Sequence, residues 1–548
     1  MVLFAFAAAA GVKQVEAQVT RVEVERALRR AADFYWKKVS TEGGYHYYYA
    51  EDLSYGRSEH GEGPTQIEVQ REATPIVGLA YLRAWDATGD RFYLDAARAA
   101  AHALIRGQHC SGGWDYIIEF GPEKRRKYPY RAGNNCGAPN TGQHYTTLDD
   151  NVTQAAVRLL MRVDRELKFE DKKIHEAVLF ALDQLSKAQY PNGAWPQRYY
   201  QFADPARFPV KKASYPESRT WPGPDYRFLY TFNDNTISDL IDMFFEAWRV
   251  YADDRYRRAA EKGGEFILLA QMPEPQPAWA QQYDVEMHPA WARVFEPPSV
   301  TGGESQGIIR TLLVLYRETG DKKYLEPARR ALDYLKRSML PPTESPSEAR
   351  RRFKPGEPVL ARFYELKTNR PLYITKGTRV TVAGKGTTLV GGYELSYSDE
   401  SVISHYGVLT SGAELAEIAA EYQRLATADP STIKRPVKLR GLSPWSAASR
   451  ANPAESELAT QVSRIISQLD SRGAWVEEGS IGKAGQIVSV FAAKEMVVKI
   501  GDRVMPLKEN ETLEVFQGTD RPRERIIRSS TFARNVETLS AWLAATKR

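Results

Sequence analysis

Two kinds of helical segment alternate along this 548-residue chain, and the alternation constrains its fold more than any other feature. The first kind begins after an acidic turn and carries apolar residues at helical spacing on one face. It ends in Gln, a short loop and Gly-x-aromatic or a close variant. It reads "GDRFYLDAARAAAHALIRGQHCSGGW" over 89–114, "EDKKIHEAVLFALDQLSKAQYPNGAW" over 170–195 and "DDRYRRAAEKGGEFILLAQMPEPQPAW" over 253–279. Looser copies occupy 21–45, 320–339 and 457–475. The second kind, at 71–90, 149–167, 233–254, 303–321, 400–422 and 529–545, is apolar around more of its circumference. Helices buried on several sides look like this. Six such pairs predict a mainly α chain folded as an α/α toroid, an incomplete or six-hairpin barrel, with the apolar set inside and the amphipathic set outside.

Two inserts interrupt the repeat. "TRVTVAGKGTTLVGGYELSY" alternates like a hairpin, and "QIVSVFAAKEMVVKI" with "TLEVFQG" forms a second β-rich stretch. The expected organisation is a toroid over 18–428 with a hairpin insert near 378–399. A C-terminal region over 429–548 completes the ring and carries a β-rich insert near 484–528. Residues 1–17 read as a signal peptide, with Val15 and Ala17 at the −3 and −1 positions, so the expected location is secreted or periplasmic. No later stretch is apolar enough to span a bilayer, so no membrane partner is expected. The two cysteines, Cys110 and Cys136, either pair in an oxidising compartment or stay as two buried thiols.

A formal charge of +6 suits an anionic partner, and the lack of a nucleic-acid motif argues against nucleic acid. The acids then become informative. "TTLDDNVTQAA" (146–156) and "TFNDNTISDL" (231–240) place Asp149, Asp150 and Asp234 at the same point of two inner segments, and Glu72 and Glu304 correspond. Asp and Asn accept hydrogen bonds from the first N–H groups of a helix, which makes them N-caps. Their oxygens also suit a hard cation. Capping accounts for one acid per site and less well for "DD" or "NDN", and both readings stand.

The loops between outer and inner helices combine Trp, Tyr, Gln, Arg and Pro in stretches too irregular for a core. Aromatic faces stack on sugar rings, and Arg forks grip carboxylates at two points. Arg293, Arg362 and Arg370 lie in three such loops, and together they point to an acidic sugar.

"GAWPQ", "TFNDN", "PAWARVFEPPS" with "GGES", and "ARFYELKTNRPLY" occur in one order between Gln70 and Thr375. In this the chain resembles the family 10 polysaccharide lyases, the pectate lyases. The resemblance implies calcium-assisted β-elimination of polygalacturonate by a monomer. It implies Arg293 as the base, an awkward role for a side chain that is ordinarily protonated. It further implies Arg362, Arg370, Trp195, Gln197 and Trp279 as substrate contacts and Asp234 with Asp149 or Asp150 as calcium ligands. After "NRPLY" the family carries a further basic segment. Here "ITKGTRVTV" offers Lys376 or Arg379 instead, and a point charge does not reproduce an Arg clamp.

Competing classes fit less well. A toroid glycoside hydrolase would use paired carboxylates such as Asp150 and Asp234, but the Arg-rich loops speak against a neutral sugar. "QHCSGGW" and "QYPNGAW" also fit the Q-x-x-x-G-x-W motif of terpene cyclases, without an acid-rich ionisation motif. Here Gln and Trp most simply tie an outer helix to the loop after it. A non-catalytic uronate-binding relative would explain the altered segment at Lys376 but not the retained Arg293.

Overall fold

The computed structural model describes residues 19–546, apart from 134–135, 137–143, 218–224, 294, 376–377, 383–385, 391–393, 401, 404–405, 434–454, 482–485, 493, 501–502, 510–511 and 518–522. The signal-peptide segment lies outside the described residues. Helices occur in all twelve expected segments. The outer set is α1 (Arg21–Phe34), α3 (Arg91–Arg106), α5 (Lys172–Lys187), α7 (Asp254–Ala270), α9 (Leu325–Arg337) and α11 (Glu455–Ser467). The inner set is α2 (Thr74–Thr88), α4 (Val152–Glu166), α6 (Thr236–Tyr251), α8 (Glu304–Thr319), α10 (Glu414–Thr427) and α12 (Ser529–Ala545). Inner helices follow one another in space as α12–α2–α4–α6–α8–α10, and each outer helix lies against its inner neighbours. The architecture is an α/α toroid.

The pattern of side chains explains which set lies inside. In α4, 13 of 15 residues are buried, from Val152 to Asp164, whereas α5 buries only one stripe of six. The acidic turns before the outer helices act as caps: Asp90, Asp171 and Asp253 each accept a backbone N–H two residues on. The segment at 400–422 differs from expectation, because its helix starts only at Glu414. Leu409–Ser411 instead pairs antiparallel with Val359–Ala361, and those strand bonds claim the backbone that a longer helix would use.

The Gln and Trp of the outer repeat tie the ring together. Gln108 Nε2 donates to Gly112 O (2.9 Å) in its own loop and to Ala177 O (2.8 Å) on the next outer helix. Gln189 does the same with Gly193 O (2.9 Å) and Ala259 O (3.0 Å), and Gln271 with Pro277 O and Pro327 O (2.9 Å each). The indole N–H groups of Trp114, Trp195, Trp279 and Trp475 reach back to the carbonyls of Leu104, Leu185, Ile267 and Ile465, at 2.8–2.9 Å. Carbonyls near a helix C-terminus lack intrahelical partners, and these bonds supply them. Gly193 adopts φ +97, and a Cβ there would lie 2.0 Å from Lys262 O, so only glycine lets the loop approach α7 so closely.

The two β-rich inserts are not separate. Strands Thr378–Val382, Gly386–Val390, Thr512–Gln517 and Gln486–Phe491 pair in that order as one antiparallel sheet. The sequence assigns them to two regions, since strand pairing between remote segments leaves no local mark. Cys110 and Cys136 form a disulfide. No described helix is long and apolar enough to cross a membrane.

The buried Gln108 amide serves two carbonyls at once, so Gln108→Ala should cost about 1–3 kcal/mol, measured by urea unfolding. Unchanged stability would show that the tie is incidental.

Candidate active site

The paired acids sit in two nearly identical turns. Asp149–Asn151 and Asn233–Asn235 are single helical turns that enter α4 and α6. Asp150 (φ 50) and Asn151 (φ 59) are left-handed, as are Asp234 (φ 50) and Asn235 (φ 59). Asp and Asn tolerate this region better than other non-glycine residues, which explains why the two segments repeat those residue types. Neither α4 nor α6 has a side-chain cap, and the same holds for α2 and α8. Capping by an acid therefore holds at α3, α5 and α7 and is absent at the inner-helix acids.

The left-handed turns bring three carboxylates together. Asp149, Asp150 and Asp234 each offer an oxygen within 4.8 Å of the others, with Asp149 buried and Asp234 at the solvent edge. Crowded by protein on its inner side, Asp234 is pushed up to about 8 by burial and by the charges of Asp149 and Asp150. Asp150 is pushed up to about 6 by burial, Asp149 and Glu59. Three acids this close favour ionisation only with a counter-ion. Asp149 Oδ1 is buried with no hydrogen-bond partner among the described residues. A set of carboxylate oxygens with an orphaned acceptor fits a hard divalent cation.

Cations line the other side. Arg362 Nη2 donates to Asn233 Oδ1 (3.1 Å) and Glu304 Oε1 (2.6 Å), and Asn233 Nδ2 donates to Asp234 Oδ2 (2.6 Å). The Arg362 guanidinium lies 4.2 Å from the Tyr406 ring centre, and Arg293 approaches the same ring at 5.1 Å. Arg293 grips Glu296 at two points, Nε to Oε2 (2.8 Å) and Nη2 to Oε1 (2.7 Å). Burial works against the charge on Arg293, but Glu296 outweighs it and holds the guanidinium firmly protonated.

Not all expected contacts converge. Arg370 lies at the far end of the hairpin that begins after Arg362, exposed, with its guanidinium 3.4 Å from the centre of the Tyr397 ring. Trp195 and Trp279 are completely buried, their indoles hydrogen-bonded to outer-helix carbonyls, so neither presents a face to a substrate. Their expected stacking role is corrected to a packing role: the motif that brings them to notice is the ring tie itself. Gln197 is buried, with Oε1 unpartnered among the described residues. Lys376 lies outside the described residues.

The structure adds residues that sequence reasoning passed over. The Tyr116 hydroxyl contacts Asp149 Oδ2 (3.3 Å) and Asp150 Oδ2 (3.2 Å), and Arg198 Nη2 donates to Tyr116 (3.0 Å) and Asp149 (3.4 Å). Glu296 also accepts from Tyr406 OH (2.7 Å) and Gln281 Nε2 (2.7 Å). Arg198 follows "GAWPQ" directly and Glu296 stands three residues after Arg293, so both carried a signal. Tyr116 and Tyr406 did not.

Comparison with known proteins bears on these residues. Residues 123–383 match the family model described as pectic acid lyase, a span that includes all three acids and Arg198, Arg293, Arg362 and Arg370. No curated protein matches the chain. Among solved structures, a family 10 polysaccharide lyase from Cellvibrio cellulosa is 22% identical over 52% of this chain and 84% of its own, at a TM-score of 0.36. A mutant of that organism's family 10 lyase in complex with trigalacturonic acid is 20% identical over 64% and 98%, at 0.41. A GH76 α-mannanase from Bacteroides thetaiotaomicron is 9% identical over 96% and 97%, at 0.38. Such scores carry no argument about the fold or the site.

The raised Asp234 carboxyl has a measurable consequence. The folded protein keeps its proton from about pH 4, where an unfolded aspartate ionises, up to about 8. In chelator, this contribution to stability is complete below about pH 4 and lost as pH rises through about 8. Asp234→Asn should flatten the fall, and added calcium should counter it, in thermal unfolding scans across that range. If Asp234→Asn and calcium both leave the profile unaltered, the acids do not interact as described.

Proposed function

We propose that this chain, which matches the pectic acid lyase family model over residues 123–383, cleaves polygalacturonate by β-elimination. One observation carries the reading: Asp149, Asp150 and Asp234 converge beside the fixed guanidinium of Arg362, with Arg293 sharing the Tyr406 ring. A cluster of acids that suits a metal ion, next to arginines held in place by hydrogen bonds, fits a substrate that carries a carboxylate on every ring.

Asp149, Asp150 and Asp234 would hold calcium, which when bound would neutralise the C6 carboxylate and the charge that develops as the C5 proton leaves. Arg362, held by Glu304 and Asn233, presents its remaining edge to a second carboxylate. As the base, Arg293 first gives up its own proton to solvent at alkaline pH. Its freed nitrogen then takes the C5 proton, the C5–H pair forms the C4=C5 bond, the C4–O bond breaks with its pair on the leaving oxygen, and solvent protonates that oxygen. The product is a 4,5-unsaturated galacturonide, and no water is consumed. Gln197, Arg370 and Lys376 extend the proposed substrate contacts. The chain acts as a secreted or periplasmic monomer.

The Glu296 pair favours a second reading of one step. Since Glu296 holds Arg293 charged, Arg293 would stabilise the developing negative charge while hydroxide removes the proton. The two readings separate in the pH profile of Arg293→Lys, whose amine loses its proton at lower pH than a guanidinium. A base role predicts a rate that climbs at lower pH than in the wild type, and a charge role predicts a rate that falls away as the lysine loses its charge.

The test is ultraviolet absorbance of unsaturated product from polygalacturonate at alkaline pH. Calcium should support the rise and chelator should stop it. Arg293→Ala should lower kcat on the order of 10²- to 10⁴-fold. Turnover that survives chelator and releases saturated ends would identify a hydrolase on the same toroid.

A further inference from the structure

The groove between α11 and α12 is lined by cationic and amide side chains. Here α11 presents Gln461, Arg464 and Gln468, and α12 presents Arg534 and Asn535, around a cleft of about 690 Å³. Gln461, Arg464 and Gln468 recur at three- and four-residue spacing, as do Thr531, Arg534 or Asn535, and Thr538, so each helix contributes one stripe to the cleft. A volume of this size holds a small saccharide.

The charges in the cleft are unbalanced. Glu477, at its end, is already committed to Arg528 and to the Thr531 hydroxyl (2.8 Å). Arg534 donates only to the neutral Thr531 Oγ1 (3.3 Å), and Arg464 makes no ion pair among the described residues. Asn535 is 6% exposed, lines the cleft and makes no hydrogen bond among the described residues. Its amide can pair with a hydroxyl that enters the cleft. Two guanidiniums without an ion pair among the described residues call for carboxylates, and the amides of Gln468 and Asn535 match sugar hydroxyls, while Gln461 donates to Glu457 Oε1 (3.5 Å). Thr531, near the cleft's end, stands at the N-terminal end of α12, on the side of the toroid where the inner-helix acids gather.

We propose that this cleft is a second, non-catalytic binding site for a uronate-bearing saccharide chain. Its residues lie outside 123–383, so the family match assigns them nothing. The choice of uronate rests on the function proposed above; the need for a carboxylate rests on the cleft alone.

Calorimetric titration of the full chain with trigalacturonate in the presence of chelator tests this, with maltotriose as a neutral control. The wild-type protein should bind trigalacturonate, and R464Q/R534Q should bind at the cleft on the order of tenfold more weakly. Asn535→Leu, checked for an unchanged melting temperature, should weaken the same binding. Turnover of short oligomers should be unaltered in R464Q/R534Q, while KM for long polymer rises. Isotherms identical among the three proteins overturn the proposal, and equal binding of maltotriose overturns the carboxylate assignment. A chain that yields no unsaturated product yet loses this binding in R464Q/R534Q would refute the lyase reading and leave the cleft standing.

Discussion

The ring depends on a side-chain amide that serves two backbones at once. Gln108, Gln189 and Gln271 each close their own loop and hold the next outer helix. The neighbouring tryptophans fasten the loop to the end of the helix it leaves. Repetition of this joint sets a nearly constant step from one helix pair to the next. The inner helices α4 and α6, of 15 and 16 residues, lie side by side, and the turns that enter them meet at one end. The acids can converge only because the joint repeats.

At that end the fold stores electrostatic repulsion rather than capping. Two left-handed Asp-Asn pairs turn carboxylates toward one another instead of toward the first N–H groups of α4 and α6. Burial and mutual charge both favour their protonated forms, and a divalent cation relieves both terms. Arg362 contributes a fixed positive charge from another loop, but Glu304 and Asn233 already share it. Arg293 is more tightly committed still. Its two-point contact with Glu296 makes it a strong permanent cation and a reluctant base, and any account of its chemistry must address that pair.

Much of the fold was legible because its periodicities are local. Apolar spacing marked all twelve helices, the acidic turns marked the outer-helix caps, and the hairpin patterns marked strands. The acids and arginines stood out through residue type in irregular loops. What escaped notice shares one cause. Tyr116 and Tyr406 reach the site from segments with no distinguishing pattern. Trp195 and Trp279 had the residue type of a sugar platform but lie buried. Arg370 stands in the same loop as Arg362, and its guanidinium lies over the Tyr397 ring.

The sequence by itself determined the alternation of helices, the residues that join them and the repeated Asp-Asn turns, because these follow from spacing and backbone preference within a few residues. Only the tertiary structure decided which acids share a site, which carboxylate restrains Arg293, that two distant inserts complete one sheet, and that α11 and α12 enclose a cationic cleft. Each of these depends on distances between residues far apart in the chain. Those distances are set by the curvature of the whole ring, which no local segment records.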